Sequence, residues 1–316
     1  MTRHPIKIGT RGSALALWQA EWVRSLLLAK RPEQPVELVI IKTQGDKILD
    51  VPLAKVGGKG LFVKELEEAL LASQIDLAVH SMKDMPAILP DGLALTAILE
   101  REDPRDVLLS TRFTSLQALP QQAKVGSSSL RRQSQLLHLR PDLQIISLRG
   151  NVNTRIQKLL SGQFDAIVLA AAGVKRLQLT EHVVEYLDPL QIIPANGQGA
   201  IGIESRQDDA NLNAQLAHLN HLPTWICVSA ERSFLAALQG GCQVPIAGHA
   251  TIHDDQLQLL GRIASLDGRT MVSQSRLGRL QDPVSLGQEL AQALLAQGGR
   301  EILQQIGLTG DGGANQ

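Results

Sequence analysis

Apolar residues come in two spacings that alternate along this chain. Short runs of consecutive apolar positions suit buried strands. Longer stretches with an apolar residue every three or four positions suit helices. Ile6-Lys7-Ile8-Gly9 is the first such strand, and from Ala14 onward Leu15, Trp18, Val23 and Leu26 fall near one face of a helix. Val36–Ile41 predicts a second strand and Ile75–His80 a third. Between them, Phe62–Ala72 predicts an amphipathic helix with Lys64, Glu65, Glu67 and Glu68 outward. Further on, Lys124-Val125-Gly126, Ile145–Leu148 and Asp165–Leu169 predict strands that each lead towards a helix. Such alternation implies parallel sheets, whose ligands bind beyond the carboxyl ends of the strands.

Two stretches interrupt the pattern. Glu100–Asp106 and Ile192–Asn196 predict crossovers between two similar α/β lobes that form a cleft. Gly197–Glu204 predicts a glycine-laced strand returning to the first lobe. No helix start follows it, so it is not a dinucleotide fingerprint. The period changes again towards the end. Thr224–Leu238 predicts a helix with Thr224 as N-cap, closed by Gly240 and Gly241 and stopped by Pro245. Ile246–Ile252, Gln256–Leu266 and Thr270–Ser275 predict an antiparallel meander punctuated by His253-Asp254-Asp255 and Asp267-Gly268-Arg269. Asp282–Ile306 predicts a helix broken near Gly298-Gly299. The sum is two α/β lobes and a small α+β domain.

Composition narrows the chemistry. Lys and Arg number 31, Asp and Glu number 31, and the net charge is zero, so no global field recruits nucleic acid or membrane. Aromatics make up 3%, too few for base-stacking platforms. Two cysteines give no disulfide framework and no metal spacing. No signal segment precedes the first strand and no run could span a bilayer, which predicts a cytoplasmic protein.

Within that neutral total, arginines gather at strand ends and helix starts. Arg11 follows the first strand beside Ser13, a fitting N-cap. Arg131 and Arg132 follow Ser127-Ser128-Ser129. Arg149, Arg155 and Arg176 follow the next two strands. Guanidinium binds carboxylate or phosphate bidentately, so this edge predicts a polyanionic ligand. Lys83 and Asp84 fall at the same edge of the first lobe, as a surface ion pair or as site residues. His80 reads as a satisfied core histidine. Lys55 and Lys59, among close-set glycines, belong to a mobile lid or a plain surface loop. Cys242, just past a helix C-terminus where a thiolate is disfavoured, is either a loop cysteine without a role or a tether for a permanent covalent group.

Many ordered motifs then agree with one family. Ile8-Gly9-Thr10-Arg11-Gly12-Ser13, Lys42-Thr43-Gln44-Gly45-Asp46, Gly58-Lys59-Gly60-Leu61-Phe62 and Asp76–Asp84 carry the resemblance in the first part. Glu102–Asp106, Ser128–Arg132, Arg149-Gly150-Asn151, Gly197-Gln198-Gly199-Ala200 and Gly240–Pro245 carry it onward. Over nearly its whole length the chain resembles the porphobilinogen deaminases (hydroxymethylbilane synthases).

The resemblance implies two periplasmic-binding-protein-like α/β lobes joined by a two-strand hinge, plus a small α+β C-terminal domain. The expected divisions are 1–99 with 200–218, then 100–199, then 219–316 carrying the cofactor cysteine. It implies one covalent dipyrromethane per chain, held by a thioether at Cys242. The implied reaction is head-to-tail joining of four porphobilinogens into hydroxymethylbilane with loss of ammonia, by a monomer that needs neither nucleic acid nor membrane. Asp84 is the expected catalytic residue. Lys83, Ser129, Arg131, Arg132 and Asp46 are expected to bind the cofactor. Arg11, Ser13, Gln19, Lys59, Phe62, Ser81, Ser127, Ser128, Arg149, Arg155, Arg176 and Gln198 are expected to bind substrate. The chemistry agrees with the residues: each pyrrole carries an acetate and a propionate, which calls for an arginine-lined cleft. Ammonia loss leaves a cation that a nearby carboxylate stabilises. Ser127 stands where the family commonly has threonine, keeping the hydroxyl, and Asn196 where valine is usual, beside the hinge. Cys227 reads as core. Two other readings remain open at this point: a non-catalytic two-lobed carboxylate binder, and an enzyme with a cysteine nucleophile, whose thiol alkylating agents would find free.

Overall fold

A computed structural model of the chain describes residues 4–47, 60–239 and 244–307. Along it run strands β1 (Ile6–Thr10), β2 (Val36–Ile40), β3 (Leu77–Ser81), β4 (Leu93–Ile98), β5 (Asp106–Leu109), β6 (Lys124–Gly126) and β7 (Gln144–Ile146). They are followed by β8 (Ala166–Ala170), β9 (Val183–Tyr186), β10 (Ile201–Arg206), β11 (Ile246–His253), β12 (Gln256–Ala264) and β13 (Met271–Arg279). These strands form three sheets, ordered β2-β1-β3-β10-β4, β7-β6-β8-β5-β9 and β11-β12-β13.

The first two sheets repeat one plan. In each, three strands pair in parallel, β2-β1-β3 and β7-β6-β8. A fourth strand enters antiparallel, β10 beside β3 and β5 beside β8. Both antiparallel strands follow a crossover, so each lobe completes its sheet with chain arriving from the other. Two short connections therefore join the lobes side by side. The helices cover the faces by simple spacing. In the Ala14–Lys30 helix, Ala16, Ala20, Val23 and Leu27 form one buried stripe, and Ser13 caps its start. Burying such a stripe stabilises by about 25 cal/mol per Å² of apolar surface.

The third domain is a meander packed beneath two helices, Leu222–Ala237 and Pro283–Leu294. The fully buried Phe234 ring lies over the strands where they carry glycine: a Cβ at Gly248 would come within 2.9 Å of it, and one at Gly261 within 2.9 Å. The expected break in the last helix occurs at Gly298, whose φ of 103° leaves the helical region.

Two local expectations fail. Thr224 is not the N-cap: the helix opens at Leu222 with Pro223 in its first turn, where proline's fixed φ suits the helix. The Thr224 hydroxyl instead accepts a bond from the Arg101 amide at 3.1 Å. Gly197–Ala200 is not strand. Gly197 and Gly199 have φ of 73° and 89°, and the strand starts at Ile201. At Gly197 a Cβ would lie 2.7 Å from Met82 Cβ, and at Gly199 one would lie 2.3 Å from the Glu102 carbonyl oxygen. Both glycines allow an approach that a strand would forbid.

The crossovers meet at one carboxylate. Glu231, fully buried in the Leu222–Ala237 helix, accepts both Arg101 guanidinium bonds at 2.8 Å. It also accepts the amides of Gly197 at 2.6 Å and Ala250 at 2.8 Å. Arg101 Nε completes the knot by donating to the Gln198 carbonyl at 2.8 Å. The unusual Asn196 belongs to it, donating to the Glu231 carbonyl at 2.6 Å. Burial opposes ionisation of Glu231, but Arg101 and His249 outweigh it and hold the carboxyl down at about 2. Removing one partner of a buried pair leaves an uncompensated charge and costs about 3–5 kcal/mol. Arg101→Met is therefore expected to lower stability by that order in urea denaturation, with Arg101→Lys intermediate. A loss under about 1 kcal/mol would show that the pair does not hold the crossovers.

Candidate functional site

The carboxyl ends of the parallel strands in both lobes carry the polar residues singled out above. At the end of β1, Arg11 lies over the Phe62 ring, 4.3 Å from its centroid. It is ion-paired with Asp46, with Nε donating to Oδ2 at 3.2 Å. Gly45 permits this stack, since a Cβ there would fall 2.1 Å from the ring. Burial opposes the charge on Asp46, but Arg11 and the Thr43 hydroxyl together hold its carboxyl below the ordinary value. Asp46 thus orients Arg11. Ser13 accepts the Ala16 amide at 3.3 Å as the helix cap. The buried Gln19 donates to Ser81 Oγ at 2.8 Å, joining that helix to the end of β3.

Beyond β3 the chain makes a single tight turn, Met82–Asp84. The Met82 amide donates to the Ala200 carbonyl at 3.0 Å, and Gly197 presses on the Met82–Lys83 backbone. The second crossover therefore sets where Lys83 and Asp84 stand. Burial and the charge of Arg132 push Lys83 down to about 8, while Asp84 and Asp106 act in the opposite sense.

In the second lobe, Ser129 caps the Leu130–Leu139 helix, accepting the Arg132 amide at 3.4 Å. Ser127 Oγ accepts the Ser129 amide at 3.3 Å. Ser128 Oγ donates to the Leu148 carbonyl at 2.9 Å and accepts its amide at 3.0 Å. Arg131 and Arg132 turn inward onto Asp106: Arg131 Nη1 lies 2.8 Å from Oδ2, and Arg132 Nη2 lies 2.7 Å from Oδ1. Both arginines are buried, and carbonyls of Ile193 and Val168 take further bonds at 2.6 and 3.0 Å. Burial opposes the Asp106 charge, yet the two guanidiniums hold it far below the usual range. Gln198 donates to the same carboxylate at 2.9 Å, and its Oε1 is buried without a hydrogen-bond partner among the described residues.

Arg155 Nε donates to the Gly150 carbonyl at 2.8 Å. Burial lowers Arg155 to about 10, and the charges of Arg132 and Arg149 add to this, against the pull of Asp84. Burial likewise lowers Arg149. Arg176 Nη2 donates to the Gly199 carbonyl at 2.8 Å, and burial holds it at about 10. Arg132 thus acts on Lys83 of the first lobe and on Arg155 of its own, and Asp84 opposes it at both. Buried cations lowered in this way make a cradle that gains from a polycarboxylate. A dipyrromethane, with its acetates and propionates, fits this donor set.

Lys55, Lys59 and Cys242 lie outside the described residues. Cys227 is buried, and burial together with the Glu231 charge pushes its thiol up to about 12, so it carries no thiolate at neutral pH. Two charged residues were not singled out in the sequence. Asp106 opens the apolar run Asp106-Val107-Leu108-Leu109, and Glu231 sits on the helical stripe of Cys227, Ala230 and Phe234. In each case the available signal was an acid at a position whose spacing demands burial.

Comparison with known proteins places these features. The model described as "Porphobilinogen deaminase, dipyromethane cofactor binding domain" matches residues 6–214, and the one described as "Porphobilinogen deaminase, C-terminal domain" matches 225–296. A porphobilinogen deaminase of Nitratidesulfovibrio vulgaris (strain DP4) is 58% identical over 305 residues, covering 96% of this chain and 97% of that one. One from Pelobacter propionicus is 55% identical, covering 97% and 98%. Among solved structures, the periplasmic aliphatic sulphonate binding protein SsuA of Escherichia coli is 18% identical with a TM-score of 0.42, over 74% of this chain and 70% of that one. A putative methionine-binding lipoprotein of Bacillus subtilis is 13% identical with a TM-score of 0.43, over 69% and 90%. With both of its family models matched in order, and relatives more than half identical along nearly the whole of both chains, the chain belongs to the porphobilinogen deaminase family.

Proposed function

We propose that this chain performs its family's reaction in the cleft between the two lobes, with Asp84 as the proton-handling carboxylate and Cys242 as the covalent attachment point. The chain is a transferase of tetrapyrrole and heme biosynthesis that joins four porphobilinogens head to tail into hydroxymethylbilane, releasing ammonia. The bound dipyrromethane supplies the primer from which the chain grows. Membership of this enzyme family does not favour a non-catalytic carboxylate binder.

The observation that carries the residue roles is that Lys83 and Arg155 are both lowered by burial and by the charge of Arg132, with Asp84 a carboxylate that counters both. Loss of ammonia from porphobilinogen creates positive charge shared with the pyrrole nitrogen. Asp84 accepts a hydrogen bond from that N–H and stabilises the charge. Lys83, Arg149, Arg155 and Arg176 receive acetates and propionates. Arg11, held by Asp46 over Phe62, does so from the first lobe with Ser13, Gln19 and Ser81 behind it. Arg131 and Arg132 act mainly through their field, since Asp106 holds their guanidiniums. Ser127, Ser128, Ser129 and Gln198 shape the second lobe's rim, and Lys59 is a further substrate-binding residue. For the tether, the high thiol pKa of Cys227 leaves Cys242 as the cysteine able to react.

A chain that supplies both sides of its own cleft has no need of a second copy, and we take it to act as a monomer. A cytoplasmic setting is consistent with the absence, among the described residues, of a helix long and apolar enough to cross a membrane. We divide it as 1–99 with 200–218, 100–199 and 219–316. The pairing of β10 with β3 and β4 supports the first unit, and that of β5 with β8 and β9 the second.

Asp84→Asn is expected to lower turnover by about a hundredfold or more while the melting temperature and the cofactor mass stay as in the parent. Parent-like turnover would remove Asp84 from the mechanism. Cys242→Ala is expected to lack the dipyrromethane mass in intact-protein spectra. An adduct found on Cys227 would overturn the tether assignment. Because Lys83 is lowered to about 8, it loses its charge as pH rises through that value, and kcat/KM, which reports the free enzyme, should fall there. Lys83→Arg, charged throughout, should move the fall to higher pH. Coincident profiles for the two proteins would show that Lys83 is not the titrating group.

A further inference from the structure

Arg176 is held by an aromatic face. Its guanidinium carbon stands 5.5 Å from the centroid of the Trp18 ring. Trp18 belongs to the first lobe's Ala14–Lys30 helix, and Arg176 ends the second lobe's Ala171–Arg176 helix. The same two helices touch at Gly173, where a Cβ would meet Leu15 Cδ2 at 3.4 Å. Trp18 is itself fixed by stacking on Trp22, with centroids 5.9 Å apart and planes at 15°. Next to Arg176, Lys175 Nζ lies 2.6 Å from Glu102 Oε1 in the first crossover, while Arg176 reaches the Gly199 carbonyl in the second. A few residues thus touch both lobes and both connections.

The chemistry of the hold is informative. An acidic partner would occupy the guanidinium's N–H groups and compete with a ligand. An indole face attracts the cation and uses none of its donors, and such attraction strengthens where water is scarce. Among the described residues Arg176 donates one hydrogen bond, to a carbonyl, and rests on a ring face, while the Glu102 carboxylate acts on it through its field and is itself bonded to Lys175.

We propose that Trp18 is a positioning residue for the polymerisation: its ring holds Arg176 at the junction of the lobes, ready to exchange the Gly199 carbonyl for a carboxylate of porphobilinogen or of the growing chain. The inference rests on the reading of Arg176 as a carboxylate-binding residue. Exchange frees Gly199 from one of its two donors, the other being the Glu102 amide at 3.2 Å, so ligand occupancy reaches the crossover directly.

The test compares holoenzyme variants Trp18→Ala, Trp18→Phe and Arg176→Gln with the parent, using porphobilinogen. Trp18→Ala should raise KM about tenfold with a smaller change in kcat, and Trp18→Phe, which keeps a ring face, should stay within about threefold of the parent. A spectroscopic readout separates positioning from mere packing. Trp22→Phe with Trp225→Phe leaves Trp18 as the only one of the chain's three tryptophans. Its emission should change when porphobilinogen is added, and should not change when Arg176→Gln is also present. If Arg176→Gln raises KM while Trp18→Ala behaves as the parent, the inference fails and the reading of Arg176 stands. If Arg176→Gln itself keeps the parent KM, that reading fails and takes the inference with it. An emission change that persists without Arg176 also overturns the inference. Should Trp18→Ala not fold, Trp18→Phe and the emission test still decide.

Discussion

One buried carboxylate holds three parts of this chain to each other. Glu231 has no access to water, and an ion in such a place is tolerated only when every direction is answered. Here the answers come from Arg101 in the first crossover, the Gly197 amide in the second and the Ala250 amide in the third domain's sheet. Withdrawing any one leaves a charge without its counterpart. The arrangement therefore favours a single relative placement of crossovers and third domain, more sharply than apolar contact alone would.

The same logic runs on from Gln198. Its side chain reaches Asp106, which gathers Arg131 and Arg132. Gln135, on the same helix as those arginines, accepts from Arg262 of β12 at 2.9 Å and from the Ile193 amide at 2.9 Å. The third domain thus grips the second lobe as well as the crossovers. This explains how a chain of zero net charge can present a cationic cleft. Carboxylates such as Glu231, Asp106 and Asp46 lie inside or beside the framework, each matched to an arginine. Lys83, Arg149, Arg155 and Arg176 are the cations that the proposed reaction assigns to the ligand's carboxylates.

Much of this was legible in the sequence because its causes are local. A short apolar run, a glycine or hydroxyl at its end and an arginine in the next helix are neighbours in the chain, so strand ends and the cap at Ser13 could be read directly. Which arginines face the cleft could not. Arg132 turns inward because of Asp106, 26 residues away in the chain, and Arg101 because of Glu231, 130 residues away. Spacing treats Arg131 and Arg176 alike, yet Arg131 is ion-paired with Asp106 while Arg176 rests on the Trp18 ring. Gly197 and Gly199 read as strand residues because flanking apolar positions favour one. The nearby Met82 and Glu102 backbones decide otherwise.

The crossover at Gly197–Ala200 also bears on how one aspartate can serve successive additions. Asp84 sits on a turn whose backbone is pinned to Ala200 and pressed by Gly197, and Gly197 is bound in turn to Glu231. The turn that carries the carboxylate is therefore tied to the buried knot at Glu231. A growing polymer cannot easily draw such a group along with it, so the proposed role of Asp84 requires each new unit to be brought to it while the finished units move away. The cations proposed to receive those units lie on strand ends and helix starts of both lobes, and Arg11 and Arg176 are held partly by ring faces, which position a guanidinium without consuming its donors. With the proposed roles, a proton-handling group on a pinned turn, amid exchangeable carboxylate contacts, is the division of labour that repeated addition at one site requires.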